Sequence, residues 1–220
     1  MFMKIDNINN LLELFYKQYE KQNKDDIFLQ SLKESIKKYS WEDVYKNVIK
    51  LSEEISRYIE KGDRCLLISE NRPEWMISDL SIMLSGGITV PAYTTYSERD
   101  YEYIIDDCTP TLIIVSNKIQ YKKIKNIIPK KNFIKQVIAF DQINDFEDKF
   151  MLFTETIFKK ENYTLKNFLD LKIQRKDIAC IIYTSGTQGK PKGVMLSHGG
   201  ILNNCDGAYN LLKKLLLLIR

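Results

Sequence analysis

Between Thr184 and Gly193 the chain reads Thr-Ser-Gly-Thr-Gln-Gly-Lys-Pro-Lys-Gly, which gathers three glycines, three hydroxyl side chains and two lysines into one short stretch. That mixture suits a backbone brought close to a polyphosphate. Gly186, Gly189 and Gly193 reach backbone angles that other residues resist, so several N–H groups can converge on one anion. Thr184, Ser185 and Thr187 add hydroxyl donors, and Gln188 adds an amide. Lys190 and Lys192 supply positive charge, and a hydrogen bond to a charged group contributes about 1.5–3 kcal/mol net. Pro191 stiffens the segment between them. The Walker A loop needs Ser or Thr directly after its lysine, and Pro191 stands there instead. No G-x-G-x-x-G occurs, so the usual dinucleotide fingerprint is excluded as well. A plain Gly/Ser/Thr linker is the competing reading, but linkers rarely follow a buried strand so tightly.

The strand in question is Ile178-Ala179-Cys180-Ile181-Ile182-Tyr183, the clearest buried run in the chain. Val194-Met195-Leu196 is a short strand after the loop, and Ser197 can cap a helix through Ile201, Leu202, Cys205, Tyr209, Leu212, Leu216 and Ile219. Further upstream, Ser40-Trp41-Glu42-Asp43 is a capping box opening an amphipathic helix that runs to Gly62. Arg64 to Ile68 follows as a buried strand, Pro73 opens a helix closed by Gly86-Gly87, and Ile88 to Tyr93 is the next strand, which Pro91 places at an edge or ends early. The cycle repeats. Ser97 to Asp100 caps a helix through Ile105, Thr111 to Val115 is a strand, the lysine-rich stretch Lys118 to Lys135 reads as a solvated helix, and Val137 to Phe140 is another strand. Asp141 to Lys176 reads as a loop-rich connection with one short helix near Leu165 to Leu169. Alternating strands and helices of this length predict an α/β fold, a mainly parallel sheet with helices on both faces.

Bulk properties are compatible with that fold. The chain has 220 residues, 44% of them apolar, and its net charge of +4 is scattered along the sequence. Scattered charge is not the footprint of a nucleic-acid binder. Cys65, Cys108, Cys180 and Cys205 form no C-x-x-C pair and each lies in or beside an apolar run, so reduced, buried thiols are expected and neither a zinc nor a redox motif is present. Met1 to Tyr16 reads as an ordinary cytoplasmic beginning, without a signal peptide. No apolar run, Leu215 to Ile219 included, approaches the ~20 residues a spanning helix needs. The leucine-rich tail from Leu211 to Leu218 leaves an apolar face that normally requires a partner. His198, the only histidine, sits at a helix start and is expected to be structural, with the dipole lowering its basicity. Trp75 is expected in the core.

Tyr183 through Gly193 resembles the Y-T-S-G-T-T-G-x-P-K-G signature of the adenylate-forming superfamily, and the likeness extends through Val194-Met195-Leu196-Ser197-His198-Gly199. Glu70-Asn71-Arg72-Pro73-Glu74-Trp75 and Pro91-Ala92-Tyr93-Thr94-Thr95-Tyr96 resemble segments of its long-chain fatty acyl-CoA synthetase branch. Gln188 departs from the pattern by replacing a small hydroxyl residue with an amide. The resemblance implies a loop, Thr184 to Gly193, that holds the β- and γ-phosphates of ATP while a fatty acid's carboxylate attacks the α-phosphate. Magnesium would share the charge, and CoA thiol would then displace AMP.

The same resemblance implies later motifs: a Y-G-x-T-E segment serving nucleotide and metal, a T-G-D for the ribose, and a lysine on a small C-terminal domain. None occurs in these 220 residues. Residues 1–220 are therefore expected to be a partial N-terminal adenylation domain with a phosphate loop, no catalytic residue and no metal ligand of its own, and inactive alone. The alternative is a stand-alone binding or regulatory module. Small-molecule partners are expected and nucleic acid is not, while peripheral contact with a membrane and the oligomeric state are left open.

Overall fold

The structure is a computed structural model that describes residues 7–31, 37–143, 151–164, 172–184 and 191–218. Helix α1 (Leu11–Tyr19) and a small antiparallel pair, β1 (Ile27–Gln30) with β2 (Lys38–Ser40), precede the main repeat. Ser40 then caps α2 (Trp41–Ile55) through the expected reciprocal bonds with Asp43. The helix stops before Gly62, which turns the chain at φ 90° into β3 (Arg64–Ile68). Pro73 occupies the first turn of α3 (Pro73–Leu84), and Gly86 at φ 82° ends it ahead of β4 (Ile88–Ala92). A second capping box, Ser97 with Asp100, starts α4 (Glu98–Cys108), followed by β5 (Leu112–Val115), α5 (Lys118–Lys122) and β6 (Gln136–Ala139). Then come β7 (Met151–Phe153), α6 (Thr154–Phe158), β8 (Ile178–Thr184), β9 (Lys192–Ser197) and α7 (His198–Leu218).

Among the described residues seven strands form the main sheet, in the order β7-β6-β5-β3-β4-β8-β9. Every pairing in it is parallel except β8 with β9. The chain steps from β3 to β4, then jumps back across β3 to β5. Right-handed crossovers place the helices of those two opposed steps on opposite faces. The core divides accordingly. Cys65, Leu67, Leu112 and Ile114 pack with α1, α2 and α3, whereas Leu66, Ile68, Ile113 and Val115 pack with α4 and the segment after α5. Alternate residues of one strand thus feed two cores, which explains why β3 and β5 are apolar without a break.

Several expectations need correction. The lysine-rich stretch is not one helix: α5 ends at Lys122, and only a single 3-10 turn, Ile128–Lys130, follows before β6. Ile124 and Ile127 are buried there, so packing against the sheet overrides helical continuation. Pro91 does not mark an edge, because β4 lies between β3 and β8. Its missing donor is tolerated because β4 meets β8 at the one register position Thr89–Cys180, short of Pro91. The presumed loop from Asp141 to Lys176 contains β7 and α6, while the helix expected near Leu165 to Leu169 lies outside the described residues. Cys65 and Cys108 are buried as expected, but Cys180 is only partly covered and Cys205 is exposed on α7. Leu211 and Leu212 on that helix are exposed at 60% and 59%, in line with an apolar face lacking a partner. No helix among the described residues is long and apolar enough to cross a membrane.

Candidate functional site: a strand-loop-strand at the carboxyl edge of the sheet

In an open parallel sheet the default ligand crevice lies where successive crossovers diverge, at the carboxyl ends of β3 and its neighbours. Here side chains bridge neighbouring elements across that edge. Glu70 accepts from Gln120 Nε2 at 2.9 Å and from Asn117 Nδ2 at 3.4 Å, which ties the end of β3 to the segment after β5. Arg72 donates to Glu74 from Nε at 2.8 Å and to Asp141 from Nη2 at 2.9 Å, tying the start of α3 to the end of β6. Lys37 Nζ and the Tyr39 hydroxyl also reach Glu74, at 3.2 and 3.3 Å. Burial alone would raise the Glu74 carboxyl, but the Arg72 bonds and charge outweigh it and hold the group at about 2. Both Arg72 and Glu74 are consumed by this cluster, which reads as a clamp between elements. Trp75 beside them is half-buried against the core.

Open chemistry at the same edge is found at the end of β8. Thr184 closes that strand, Lys192 opens β9, and the two are direct partners in the antiparallel ladder. Side chains of paired residues leave the sheet on the same face, so the Thr184 hydroxyl and the Lys192 ammonium project together, and both residues are exposed. Ser185, Gly186, Thr187, Gln188, Gly189 and Lys190 lie outside the described residues. Gly193 is among the described residues. It is an ordinary strand residue paired with Tyr183, and a Cβ there would lie 2.9 Å from Ile181 Cγ2 and 3.3 Å from Tyr183 Cζ. The missing side chain lets the Tyr183 ring lie across the hairpin.

Two residues that carried no obvious signal complete the site. The Tyr183 hydroxyl donates to Asp107 Oδ2, and the Tyr103 hydroxyl donates to the Pro191 carbonyl at 3.1 Å. Burial first, and the Asp107 carboxylate second, push the Tyr183 phenol well above its ordinary range, so it stays a protonated donor. Tyr103 and Asp107 are four residues apart on α4, one helical turn along a single face. That spacing is the cue the sequence offered.

His198 sits at the opposite, amino-terminal edge. It is 2% exposed, and its Nδ1 accepts the Leu11 N–H at 3.3 Å, which fixes a neutral imidazole. Burial depresses it to about 4 despite the nearby Asp177 carboxylate, so desolvation and not the helix dipole is the main cause. It borders a cavity of about 340 Å³ shared with Lys61, Lys176 and Asp177, away from the loop. Among the described residues no three His, Cys, Asp or Glu side chains come together as a metal site.

Comparison with known proteins identifies the family. Residues 15–216 match the family described as AMP-binding enzyme. The long-chain-fatty-acid–CoA ligase ACSBG2 of Xenopus laevis is 33% identical over 172 residues, covering 71% of this chain and 21% of that protein. Long chain acyl-CoA synthetase 4 of Arabidopsis thaliana is 31% identical over 186 residues, covering 80% of this chain and 28% of its own length. The chain thus spans well under a third of the curated relatives it matches. Among solved structures, the anthranilate CoA ligase AuaEII in complex with anthranoyl-AMP superposes with a TM-score of 0.75 at 20% identity, over 89% of this chain and 36% of that one. Acetoacetyl-CoA synthetase from Streptomyces lividans gives 0.76 at 17%, over 87% and 31%. A loop of this composition on a sheet of this order, with a family match over nearly its whole length, leaves one assignment: the chain belongs to the AMP-binding enzyme family, whose members similar to it include long-chain fatty-acid–CoA ligases.

Proposed function

We propose that residues 1–220 are the N-terminal part of the adenylation domain of an AMP-forming fatty acyl-CoA synthetase, and that Thr184 to Gly193 is its polyphosphate-binding loop. The observation that carries the reading is the exposed Thr184–Lys192 pair at the carboxyl edge of the sheet, flanking the glycine- and hydroxyl-rich segment. In the proposed reaction a carboxylate oxygen attacks the α-phosphorus of ATP, and the bond to the bridging oxygen breaks. Pyrophosphate leaves and an acyl-adenylate remains, from which CoA thiol takes the acyl group with release of AMP. An anion attacking an anionic phosphate is opposed by charge. Donors already aimed at the departing phosphates lower that barrier, and this is the work assigned to Lys192, Thr184 and the loop N–H groups.

Magnesium, if bound, would supply further positive charge against the phosphates. The described residues provide no carboxylate set that fits it. Nor does the sequence contain a Y-G-x-T-E or T-G-D segment. On the proposed reading the chain by itself binds phosphates, and the rest of the chemistry needs the motifs that the family resemblance implies. In an isotope-exchange assay, the purified 220-residue chain is expected to give no fatty-acid-dependent exchange between pyrophosphate and ATP. Robust exchange would show that the missing motifs are dispensable and overturn this division of labour. The alternative of a stand-alone module gains nothing from Val194 and Met195 of β9 or Leu211 and Leu212 of α7, which are 43–67% exposed.

A further inference from the structure

We propose that the cavity beside His198 is a binding site for an aliphatic carboxylate, whose head group meets the imidazole N–H and Lys176 and whose tail lies on four apolar side chains. The cavity is at the amino-terminal edge of the sheet, opposite the loop, so the site stands whether or not the loop binds phosphate.

Backbone bonds hold the rim of this cavity in place. The Gly62 N–H donates to the Gly86 carbonyl and the Ile88 N–H to the Asp63 carbonyl, both at 2.8 Å, which ties the turn after α2 to the turn after α3. On the other side Asp177 Oδ2 accepts the Gln174 N–H at 2.9 Å, and the Asp177 carbonyl accepts the His198 N–H at 3.0 Å. The segment ahead of β8 is thereby fixed to the start of α7. At about 340 Å³ the cavity has the size of a small-molecule site, and a rim already ordered loses little entropy when a ligand enters.

One buried donor is left over beside it. His198 is 2% exposed and borders the cavity, while its Nδ1 accepts the N–H of Leu11, a residue that does not line it. The neutral ring therefore carries its proton on Nε2, on the far side from α1, where it has no hydrogen bond with any described residue. A buried N–H without an acceptor is costly, and an acceptor inside the cavity removes that cost. Lys176 likewise has no ion pair or hydrogen bond among the described residues, whereas Lys61 is shared between the Asp177 carboxylate at 3.9 Å and the Lys172 carbonyl at 3.4 Å. Two ammonium groups against one carboxylate favour an anion. The first N–H groups of α7 are bonded to the Asp177 and Arg175 carbonyls, so no backbone nest for a phosphate exists there. Met83, Ile88, Ile173 and Ile178 give the cavity its apolar walls. No Phe, Tyr or Trp lines it to stack on a base, and no hydroxyl or amide side chain lines it to read a sugar. A carboxylate on an aliphatic tail matches what remains.

His198 is the only histidine, so its imidazole proton signals in NMR report on this cavity directly. Octanoate titrated into the full 220-residue chain is expected to move those signals along a saturable one-site curve. Acetate offers the head without the tail, and octanol the tail without the head; each should bind at least about tenfold more weakly. Lys176 is exposed, so Lys176→Glu should weaken octanoate about fivefold or more with the melting midpoint unchanged. Histidine signals that octanoate does not move overturn the proposal. So does a response to octanol or acetate equal to that of octanoate, or a Lys176→Glu variant that binds octanoate as well as the parent. Pyrophosphate binding is a separate readout: its absence sinks the loop reading and leaves this site untouched.

Discussion

Replacing Glu74 by alanine is expected to destabilise the protein by about 3 kcal/mol, because it strips the partner from a largely buried guanidinium. The Glu74 side chain is 3% exposed and that of Arg72 is 14% exposed, so neither charge can be rehydrated without opening the start of α3. Asp141 remains on the other side of Arg72, but at 47% exposure it compensates only in part. Lys37 and the Tyr39 hydroxyl lose their shared acceptor at the same time. For a chain of this size the melting midpoint should fall by about 6–12 °C. Arg72→Met combined with Glu74→Leu should recover most of the loss, since removing both charges avoids stranding one. A single Glu74→Ala change costing less than about 1 kcal/mol would contradict the clamp.

Acid should weaken the fold through two groups acting in the same direction. His198 is held neutral with a folded value of about 4 against an ordinary 6.5. A base depressed in the folded state binds its proton more readily when unfolded. Its contribution is therefore complete above about 6.5 and is lost as pH falls towards 4. Between pH 7 and 5 this amounts to about 1–2 kcal/mol. Glu74, depressed from 4.5 to about 2, adds its own loss only below pH 4.5. Chemical denaturation at pH 7 and pH 5 separates the two. His198→Asn keeps an acceptor for the Leu11 N–H and should flatten the response in that window, whereas Glu74 variants should not. An unchanged slope in His198→Asn would assign the acid sensitivity elsewhere.

The contrast between these two groups shows what a linear sequence discloses. Arg72-Pro73-Glu74 signals a helix start, because a proline at the first turn and an acid beside it are local preferences. The capping boxes at Ser40 and Ser97 and the apolar run of β3 are equally local, and the structure has them where the pattern puts them. The environment of His198 is not local. Its burial depends on α1, far away in the chain, closing over the start of α7. β7 escapes notice for a related reason: three residues carry too little periodicity, and only pairing with β6 defines them as a strand. The lysine-rich stretch misleads because its isoleucines recur at helical spacing while the sheet, not a continuing helix, buries them.

At the candidate site the same division holds. The proposed phosphate chemistry of the loop rests on its glycines, hydroxyls and lysines, which are legible in composition alone. That Gly193 makes room for a tyrosine ring, and that Tyr103 and Asp107 reach the loop from α4, requires knowledge of which helix packs beside β8.

The most direct measurement is pyrophosphate binding to the intact chain and to Lys192→Ala, by calorimetry at low salt. Lys192 is exposed, so the substitution leaves the core untouched. Saturable one-site binding to the parent chain is expected. In the variant it should weaken at least tenfold, as expected on removing a charge-assisted bond worth about 1.5–3 kcal/mol, with the midpoint of unfolding unchanged. Equal binding by the two proteins, or none by either, would contradict it.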